Sequence, residues 1–448
     1  MRAGENVLVL RVRDLSDGHQ HASGKQRLHR GGIWYTAQSG IWQTVWLEAV
    51  PEVYVDRLHL VPNLDDASVT VTVHAASASG EAVVRIGDVE AAVPAGVPTT
   101  IALVDVHPWT PDDPFLHDVE VVLGEDLVTS YVGMRAFGVG VDARGTPRLM
   151  LNGAPYLHVG VLDQGYWPDG LLTAPSDEAM VHDIATMKRL GFNMLRKHLK
   201  VEPLRWYAHC DRLGMLVWQD LVNGGGGYRT AAVTWPGRLP GLLPIRLDDT
   251  RRRPWLGRGD DEGRAVFERE LHRTVEHLAD VVSLVVWVPF NEGWGQFDAN
   301  RVAAELRAID PTRLIDHASG WHDQGGGDLR SLHVYKRRFR MPRRRGGDRR
   351  VLALTEYGGH NLRVEGHVFD DEVDFGYHTE RSVDELGAGF VRLHDKEVSP
   401  AVRAGLSATV YTQVSDVEDE LNGLLTYDRE VLKLPEALVR DVLGRIAP

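Results

Sequence analysis

The first 50 residues of the chain contain short segments in which apolar and polar positions alternate. Residues 7–13 alternate apolar and charged side chains, and residues 33–37 and 41–49 are rich in Trp, Ile, Val and Thr on either side of Ser39-Gly40. Alternation with a period of two is typical of half-buried strands, and a Ser-Gly break is typical of a turn. The pattern predicts about three strands within residues 1–50.

A similar pattern continues through residues 51–137. Val69, Val71 and Val73 alternate with polar residues, and further short apolar runs lie at 83–86 and 119–123, separated by Gly and Pro clusters. Short strands at this spacing predict a small β-sandwich.

Beyond residue 150 buried runs alternate with segments of helical periodicity. Four helices are expected: one capped by Ser176, one around 202–212, one through Phe267 and Leu278, and one through Val302 and Ile309. Eight apolar runs lie at 156–161, 192–195, 215–218, 284–289, 313–316, 331–335, 351–354 and 407–412. About 300 residues of such alternation predict a (β/α)₈ barrel.

Composition narrows the class of protein. The 448 residues are 43% hydrophobic and 25% charged, which argues against a disordered chain, a collagen or a coiled coil. The longest apolar stretch, 284–290, is far shorter than the roughly 20 residues of a membrane helix. A single cysteine, Cys210, excludes an internal disulfide framework, and we expect it to be a buried structural thiol. The net charge of −13 disfavours binding to nucleic acid.

Two carboxylates follow buried runs at the end where a barrel places its chemistry. Glu292 comes after the fourth run and Glu356 ends the seventh, and barrel active sites lie at the carboxyl ends of the strands. One such glutamate caps a helix or pairs with an arginine as readily as it catalyses. Two that face each other can cleave a glycosidic bond, one as acid and the other as nucleophile or base, so the pair favours catalysis.

These residues lie in motifs that resemble glycoside hydrolase family 2. Asn291-Glu292-Gly293 and Thr355-Glu356-Tyr357-Gly358-Gly359 resemble its acid/base and nucleophile motifs. Further segments are similar to the family's in the same order: Ser39 to Glu48, Trp109 to Pro111 with Pro114 to His117, Leu151 to Gly153, Gly191 to His198, and Trp218 to Asp220. Each segment alone is a weak signal, but together they are specific.

The resemblance implies a multidomain protein. Residues 1–50 would be the C-terminal part of a jelly-roll sugar-binding domain, residues 51–137 an immunoglobulin-like β-sandwich, and residues 138–448 a catalytic (β/α)₈ TIM barrel. It also implies a retaining exo-β-glycosidase that acts by double displacement, with Glu292 as acid/base and Glu356 as nucleophile.

The resemblance further implies a set of substrate-binding residues. Arg196 would lower the pKa of Glu356 or form a structural ion pair, His198 would bind sugar or only pack, and Trp294 would stack on a sugar or belong to the core. The implied substrate-binding residues are Asn291, Tyr335, Arg196, His198, Asp220, Asp163, Trp294 and Gln413, with Gln164, Asp416 and Glu418 as further candidates. Asp416 and Glu418 fit equally well as solvated charges.

No metal and no other cofactor is expected. Family members that need a metal carry extra ligands after the third strand, where residues 221–227 here offer no carboxylate or imidazole. Residues 223–263 and the arginine-rich residues 330–350 are expected to be loops, the second of them solvated rather than an anion site.

The expected partner is a carbohydrate substrate, with no nucleic acid or membrane, and the sequence is compatible with a homo-oligomer. Two alternatives stay open: a non-catalytic or truncated carbohydrate-binding member of the family, and, ranked last, a metal-dependent barrel hydrolase. Since no signal peptide is visible, we expect a cytoplasmic protein. A jelly roll needs about eight strands, so the three expected in residues 1–50 also lead us to expect an N-terminally truncated chain.

Overall fold

The fold consists of a β-sandwich followed by a parallel β-barrel, as expected from the sequence. The computed structural model describes residues 4–18, 21–76, 80–234, 236, 246–343 and 346–446. Within these residues no helix combines the length and the apolar character needed to cross a lipid bilayer.

The N-terminal segment forms less regular structure than its alternating pattern predicts. Its strands among the described residues are β1 (Gln26–Arg27) and β2 (Tyr35–Thr36), which pair in parallel. The strands predicted at 7–13 and 41–49 are wrong, because a strand requires a hydrogen-bonded neighbour and these stretches have none among the described residues. Their apolar side chains are exposed, for example 80% of Val7 and 72% of Trp46.

Two antiparallel sheets form the sandwich. One has the order β3-β4-β7 and the other β6-β5-β8-β9, and their alternating valines meet in a shared core that includes Val71, Val84 and Val121. The strands are β3 (Val55–Asn63), β4 (Ser68–Ala75), β5 (Glu81–Ile86), β6 (Val89–Pro94), β7 (Thr99–Ala102), β8 (His117–Leu123) and β9 (Asp126–Val132).

A small antiparallel sheet leads from the sandwich to an eight-stranded parallel sheet, which is the predicted barrel. The small sheet contains β10 (Phe137–Val141), β11 (Pro147–Leu151) and β12 (Ala154–Pro155). The barrel strands are β13 (His158–Asp163), β14 (Met194–Lys197), β15 (Leu216–Asp220), β16 (Leu284–Val288), β17 (Leu314–Ile315), β18 (Leu329–Val334), β19 (Val351–Gly358) and β22 (Leu406–Thr412), with the pair β20 (His360–Leu362) and β21 (His378–Glu380) beside them. All eight predicted runs form strands.

The barrel sheet runs β17-β16-β15-β14-β13-β22-β19-β18, so it is closed everywhere except between β17 and β18. At that gap the amide of Asp328 donates to the carbonyl of Ile315 at 2.8 Å. The side chain of Asp328 accepts from the amide of Ile315, also at 2.8 Å. These contacts link the two edge strands without a regular ladder.

Helices cover the outside of the barrel. The four helices expected from the sequence are present, and Ser176 caps the first by accepting from the amide of Ala179. The helices are α1 (Asp177–Arg189), α2 (Leu204–Leu213), α3 (Thr230–Val233), α4 (Asp261–Leu278), α5 (Ala299–Ile309), α6 (Val383–Leu393), α7 (Ser399–Arg403) and α8 (Glu436–Gly444). Their apolar faces pack on the strands, with Met187 and Phe267 buried in that layer.

The two segments expected to be loops contain some regular structure. Residues 223–263 include α3 and the start of α4, and residues 330–350 include most of β18. Arg350 pairs with Asp323 and Asp348, so part of the arginine-rich segment is not simply solvated. Residues 235, 237–245 and 344–345 of these segments lie outside the described residues. Cys210 is buried in α2, as expected.

Candidate active site

The two carboxylates singled out in the sequence meet at the carboxyl end of the barrel. Glu292 lies on the turn after β16 and Glu356 lies near the end of β19. One oxygen of each carboxylate and a ring nitrogen of His333 all lie within 4.8 Å of one another. Carboxyl groups about 5–5.5 Å apart suit direct attack on an anomeric carbon, whereas inverting enzymes need a wider gap.

The backbone at Glu292 has an unusual conformation. Its φ is +53°, in the left-handed region that side chains other than glycine seldom adopt. The amide of Glu292 donates to the carbonyl of Ser319 at 2.8 Å, which holds the turn in place. The next residue, Gly293, has φ of +80°, and a Cβ there would lie 2.5 Å from the ring of His322. These contacts hold the unusual backbone conformation of Glu292 in place.

The other carboxylate, Glu356, is held in its charged form. It accepts a hydrogen bond from the hydroxyl of Tyr335 at 2.6 Å and one from the guanidinium of Arg196 at 3.2 Å. Burial by itself opposes the charge, but His333 and Arg196 outweigh it and lower the pKa of Glu356 to about 2. An anionic carboxylate at neutral pH is what a nucleophile requires.

Arg196 is wholly buried and connects several residues of the site. It makes two 2.9 Å hydrogen bonds to the two oxygens of Asp220, and it donates to the side-chain oxygen of Asn291 at 2.8 Å. Asp220 was expected among the substrate-binding residues. Instead its carboxylate is fully enclosed, because it is used to hold Arg196 and His198. Arg196 is thus both an ion pair and a partner of Glu356.

Glu292 lies in different electrostatic surroundings. Burial raises the pKa of Glu292 and the nearby negative charge of Glu356 raises it further, while a hydrogen bond donated by His333 would act in the opposite direction. The two pKa values are therefore driven apart, with Glu292 the better proton donor and Glu356 the anion. That separation suits a pair in which one carboxyl is an acid and the other is charged.

His333 was not among the residues expected at the site, yet its Nδ1 lies 2.8 Å from Glu292 and 3.4 Å from Glu356. A signal was present, since His333 and Tyr335 are two positions apart and alternate residues of an extended chain project to the same side. Because Tyr335 was expected at the site, its spacing to His333 indicates that His333 lies there too.

An aromatic cavity of about 340 Å³ opens beside Glu292 and Tyr335. Trp294 stacks on Trp34, with ring centroids 4.9 Å apart, and only 5% of Trp294 is exposed. Trp294 therefore both packs and lines the cavity. The aromatic residues around the opening are Trp34, Tyr228, Trp294, Trp321, Phe375 and Tyr377.

The N-terminal segment is hydrogen-bonded to the loop that follows the barrel strand β22. Glu418 accepts from the amide of Thr36 at 2.8 Å, and Glu420 accepts from the hydroxyl of Tyr35. Asp416, also a candidate substrate contact, forms a buried ion pair with Lys433 at 2.6 Å. Glu418 and Asp416 are therefore neither solvated charges nor free to meet a sugar.

The N-terminal segment also places a lysine near the carboxylate pair. Lys25 is 7% exposed, and its ammonium lies 6.0 Å from the ring centre of Trp294. Its charge acts to lower the pKa of both Glu292 and His198. Among the residues that the structure describes, no hydrogen-bond acceptor or carboxylate pairs with this ammonium.

Three further residues expected at the site each have one polar atom engaged by another side chain, while Nε2 of Gln413 has no hydrogen-bond partner among the described residues. Asp163 is paired with Lys197 at 2.6 Å, and Gln413 accepts from the side-chain amide of Gln164 at 2.8 Å. His198 has its Nδ1 2.5 Å from Asp220, and burial together with Lys25 lowers the pKa of His198 to about 4. A neutral His198 suits hydrogen bonding to a sugar better than ion pairing.

Two groups of side chains in the described part of the chain have the geometry to hold a metal ion. One consists of Glu292, His333 and Glu356, which is the carboxylate pair itself. The other consists of His367, Asp428 and Glu430 at the surface. In the second group His367 already pairs with Asp428 at 2.7 Å, as expected of an ordinary surface ion pair.

Comparisons of this chain with known proteins agree on one family. A family model described as "Glycosyl hydrolases family 2, TIM barrel domain" matches residues 173–341, and one described as "Glycosyl hydrolases family 2" matches residues 53–135. Together they cover more than half of the chain. The chain is 25% identical to a β-galactosidase of Photobacterium profundum over 357 residues, and 27% identical to one of Psychromonas ingrahamii over 232 residues.

Solved structures share the fold at low identity. A β-galacturonidase of family 2 from Eisenbergiella tayi, bound to galacturonate, has a TM-score of 0.63 at 16% identity and matches 88% of this chain and 72% of its own. A β-glucuronidase from an uncultured Clostridium has a TM-score of 0.64 at 12% identity, with coverages of 88% and 69%.

The Photobacterium match covers 73% of this chain but 31% of the relative, so the chain spans about a third of the length of such curated relatives. The two family models nevertheless match the sandwich and the second to sixth strands of the barrel, in the expected order. Glu292 lies within the residues that the barrel model matches, and Glu356 lies beyond them. The chain belongs to glycosyl hydrolases family 2.

Proposed function

We propose that this protein is a retaining exo-β-glycosidase that removes a terminal β-linked sugar by double displacement. Glu292 protonates the departing oxygen, and Glu356 attacks the anomeric carbon to form a covalent glycosyl intermediate. Water, deprotonated by Glu292, then releases the sugar with its original configuration. The domain boundaries implied by the family, at residues 50 and 137, are part of the same proposal.

The observation that supports this function most strongly is the carboxylate pair itself. The two groups are close enough for direct attack, and their pKa values are shifted in opposite directions. A non-catalytic carbohydrate-binding protein has no need of either property. The aromatic cavity beside the pair suits the apolar faces of a sugar ring.

Hydrolysis of a panel of nitrophenyl glycosides tests the proposal. We expect turnover of at least one β-glycoside and none of the matching α-glycosides, with the same protein carrying Glu356→Gln as the blank. Binding of sugars without any turnover across the panel would favour the non-catalytic alternative.

We also propose that catalysis needs no metal ion. The paired pKa shifts supply both an acid and an anion from the chain's own residues, and a metal bound between Glu292 and Glu356 would block them. Prolonged dialysis against a chelator is expected to leave kcat and KM unchanged. A large loss of activity that magnesium restores would contradict this.

A second, narrower candidate is that the terminal sugar is a β-linked uronic acid. Lys25 favours it. Among the described residues this nearly buried ammonium lies over the rings of Tyr35 and Trp294, and an anionic sugar would offset its desolvation more fully than these rings do. The structural neighbour from Eisenbergiella tayi is named a galacturonidase and was solved with galacturonate, which agrees with that chemistry.

Lys25→Met tests the role of this ammonium. Because a hydrogen bond to a charged group contributes about 1.5–3 kcal/mol, we expect kcat/KM for a nitrophenyl β-uronide to fall about 10- to 100-fold. The value for the neutral β-glycoside of the same ring should change much less. The exposed Lys396 gives a matched control, Lys396→Met, that removes the same charge elsewhere. Equal losses on both substrates would mean that the charge of Lys25 acts on the site as a whole and does not recognise the carboxylate of a uronide.

A further inference from the structure

The side chain of His333 is fully buried between the two carboxylates, and its ring is held from both sides. Nδ1 faces Glu292, and Nε2 lies 3.1 Å from the hydroxyl oxygen of Ser319. The ring fits because residue 320 is glycine, where a Cβ would lie 2.9 Å from Nδ1. The indole of Trp321 meets the imidazole edge on, with centroids 5.6 Å apart. The imidazole is therefore fixed in position.

A chain of hydroxyl groups determines which nitrogen of His333 carries a proton. Thr355 donates its hydroxyl proton to the carbonyl of Leu332 at 3.4 Å, and Ser319 donates its own to the hydroxyl oxygen of Thr355 at 3.0 Å. Since the only proton of Ser319 is used, its oxygen must accept from Nε2 of His333. Nε2 is therefore protonated.

A neutral imidazole protonated on Nε2 offers a lone pair at Nδ1. That lone pair faces Glu292 at 2.8 Å, so a hydrogen bond between them requires one more proton. The proton lies on Glu292, which then donates to Nδ1, or on Nδ1, which then pairs with an anionic Glu292. In both arrangements the two side chains hold one proton between them.

We propose that His333 is a positioning residue that keeps the transferable proton on the Glu292–His333 pair in the resting enzyme. This assignment rests on the proposed acid/base role of Glu292. In the first step the proton leaves the pair for the glycosidic oxygen as the bond to the anomeric carbon breaks. The pair is then left with a carboxylate facing a lone pair, an unfavourable contact. In the second step Glu292 takes a proton from the attacking water, which restores the hydrogen bond.

The proposal has a consequence for pH dependence. The ionisable and charged groups around the pair are Glu356 on β19, Tyr335 on the same segment as His333, Arg196 on β14, His198 after β14, and Lys25 of the N-terminal segment. Activity requires Glu356 charged and the pair protonated, so the alkaline limb of kcat/KM reports loss of the pair's proton. Without the acceptor at Nδ1 the proton is held less strongly, and this limb moves to lower pH.

The first test reads the proton directly and does not depend on turnover. Nitrogen NMR of ¹⁵N-histidine-labelled protein at neutral pH, compared with His333→Asn, identifies the His333 signals as those that disappear. We expect Nε2 to carry a proton. Nδ1 should either accept a hydrogen bond without carrying a proton itself or be protonated as well. A neutral ring protonated only on Nδ1 would overturn the proposal, whether or not the protein proves to be a glycosidase.

The second test is the pH profile of three variants. His333→Leu removes the acceptor, and we expect the alkaline limb to shift down by about one to two pH units. His333→Asn keeps an oxygen acceptor near the Nδ1 position, so part of the shift should be recovered. Ser319→Ala removes the acceptor for the proton on Nε2, so the proton of the neutral ring can lie on either nitrogen. We expect a smaller shift of the limb than for His333→Leu. An unmoved limb with activity reduced equally at all pH values would show that His333 is merely structural.

Discussion

Glu356→Gln is expected to reduce turnover by more than about 10⁴-fold, since it removes the nucleophile and not only a proton transfer. The amide has nearly the shape of the carboxylate and can still accept from Tyr335, so the fold should survive. Arg196 loses one anionic partner but keeps both oxygens of Asp220. The measurement is kcat on the best nitrophenyl glycoside of the panel, with circular dichroism to verify folding.

A matched control for Glu356→Gln is Glu380→Gln. Glu380 is also a glutamate near the end of the barrel, but it pairs with His360 at 2.8 Å outside the aromatic cavity. We expect the control to retain most of the activity. A folded Glu356→Gln protein with near-normal turnover would remove Glu356 from the mechanism.

Glu292→Gln is expected to lower kcat/KM by about 10²- to 10⁴-fold on substrates with poor leaving groups, because these need a proton on the departing oxygen. On a dinitrophenyl glycoside, whose leaving group needs little help, the first step should be affected much less. The second step should then limit turnover, because no carboxylate remains to deprotonate water.

Azide separates these two roles of Glu292. It is a nucleophile that needs no base, so it should accelerate turnover of the dinitrophenyl substrate by Glu292→Gln and give a β-glycosyl azide. The same addition should leave the unmodified protein unchanged. A loss of equal size on all leaving groups, with no response to azide, would mean that Glu292 has another role.

The barrel and the sandwich could be predicted because each of their strands is visible as a local pattern of apolar and polar residues in the sequence. Each barrel strand is buried on both faces and is visible as a short apolar run, and each sandwich strand shows alternation. The positions of Glu292 and Glu356 followed from the same runs, because a parallel barrel gathers the carboxyl ends of its strands. These predictions did not require knowing which distant residues of the chain contact each other.

The remaining features depend on which residues become neighbours. Residues 7–13 alternate as a strand does, yet alternation does not supply the neighbour that a strand requires. Asp220 ends a strand as a site residue should, but Arg196 on the adjacent strand engages it completely. Lys25 lies far from Glu292 along the chain, and no spacing in the sequence connects the two. His333 differs, because its spacing to Tyr335 offered a signal.

The most direct test of the central claim is to trap the covalent intermediate. A 2-deoxy-2-fluoro glycosyl fluoride of the sugar identified by the panel should inactivate the protein and add one glycosyl group to its intact mass. Peptide mapping should then place the label on Glu356, and Glu356→Gln should remain unlabelled. A label on any other residue, or rapid turnover of the β-glycosyl fluoride without a trapped species and with release of the α-anomer, would contradict double displacement through Glu356.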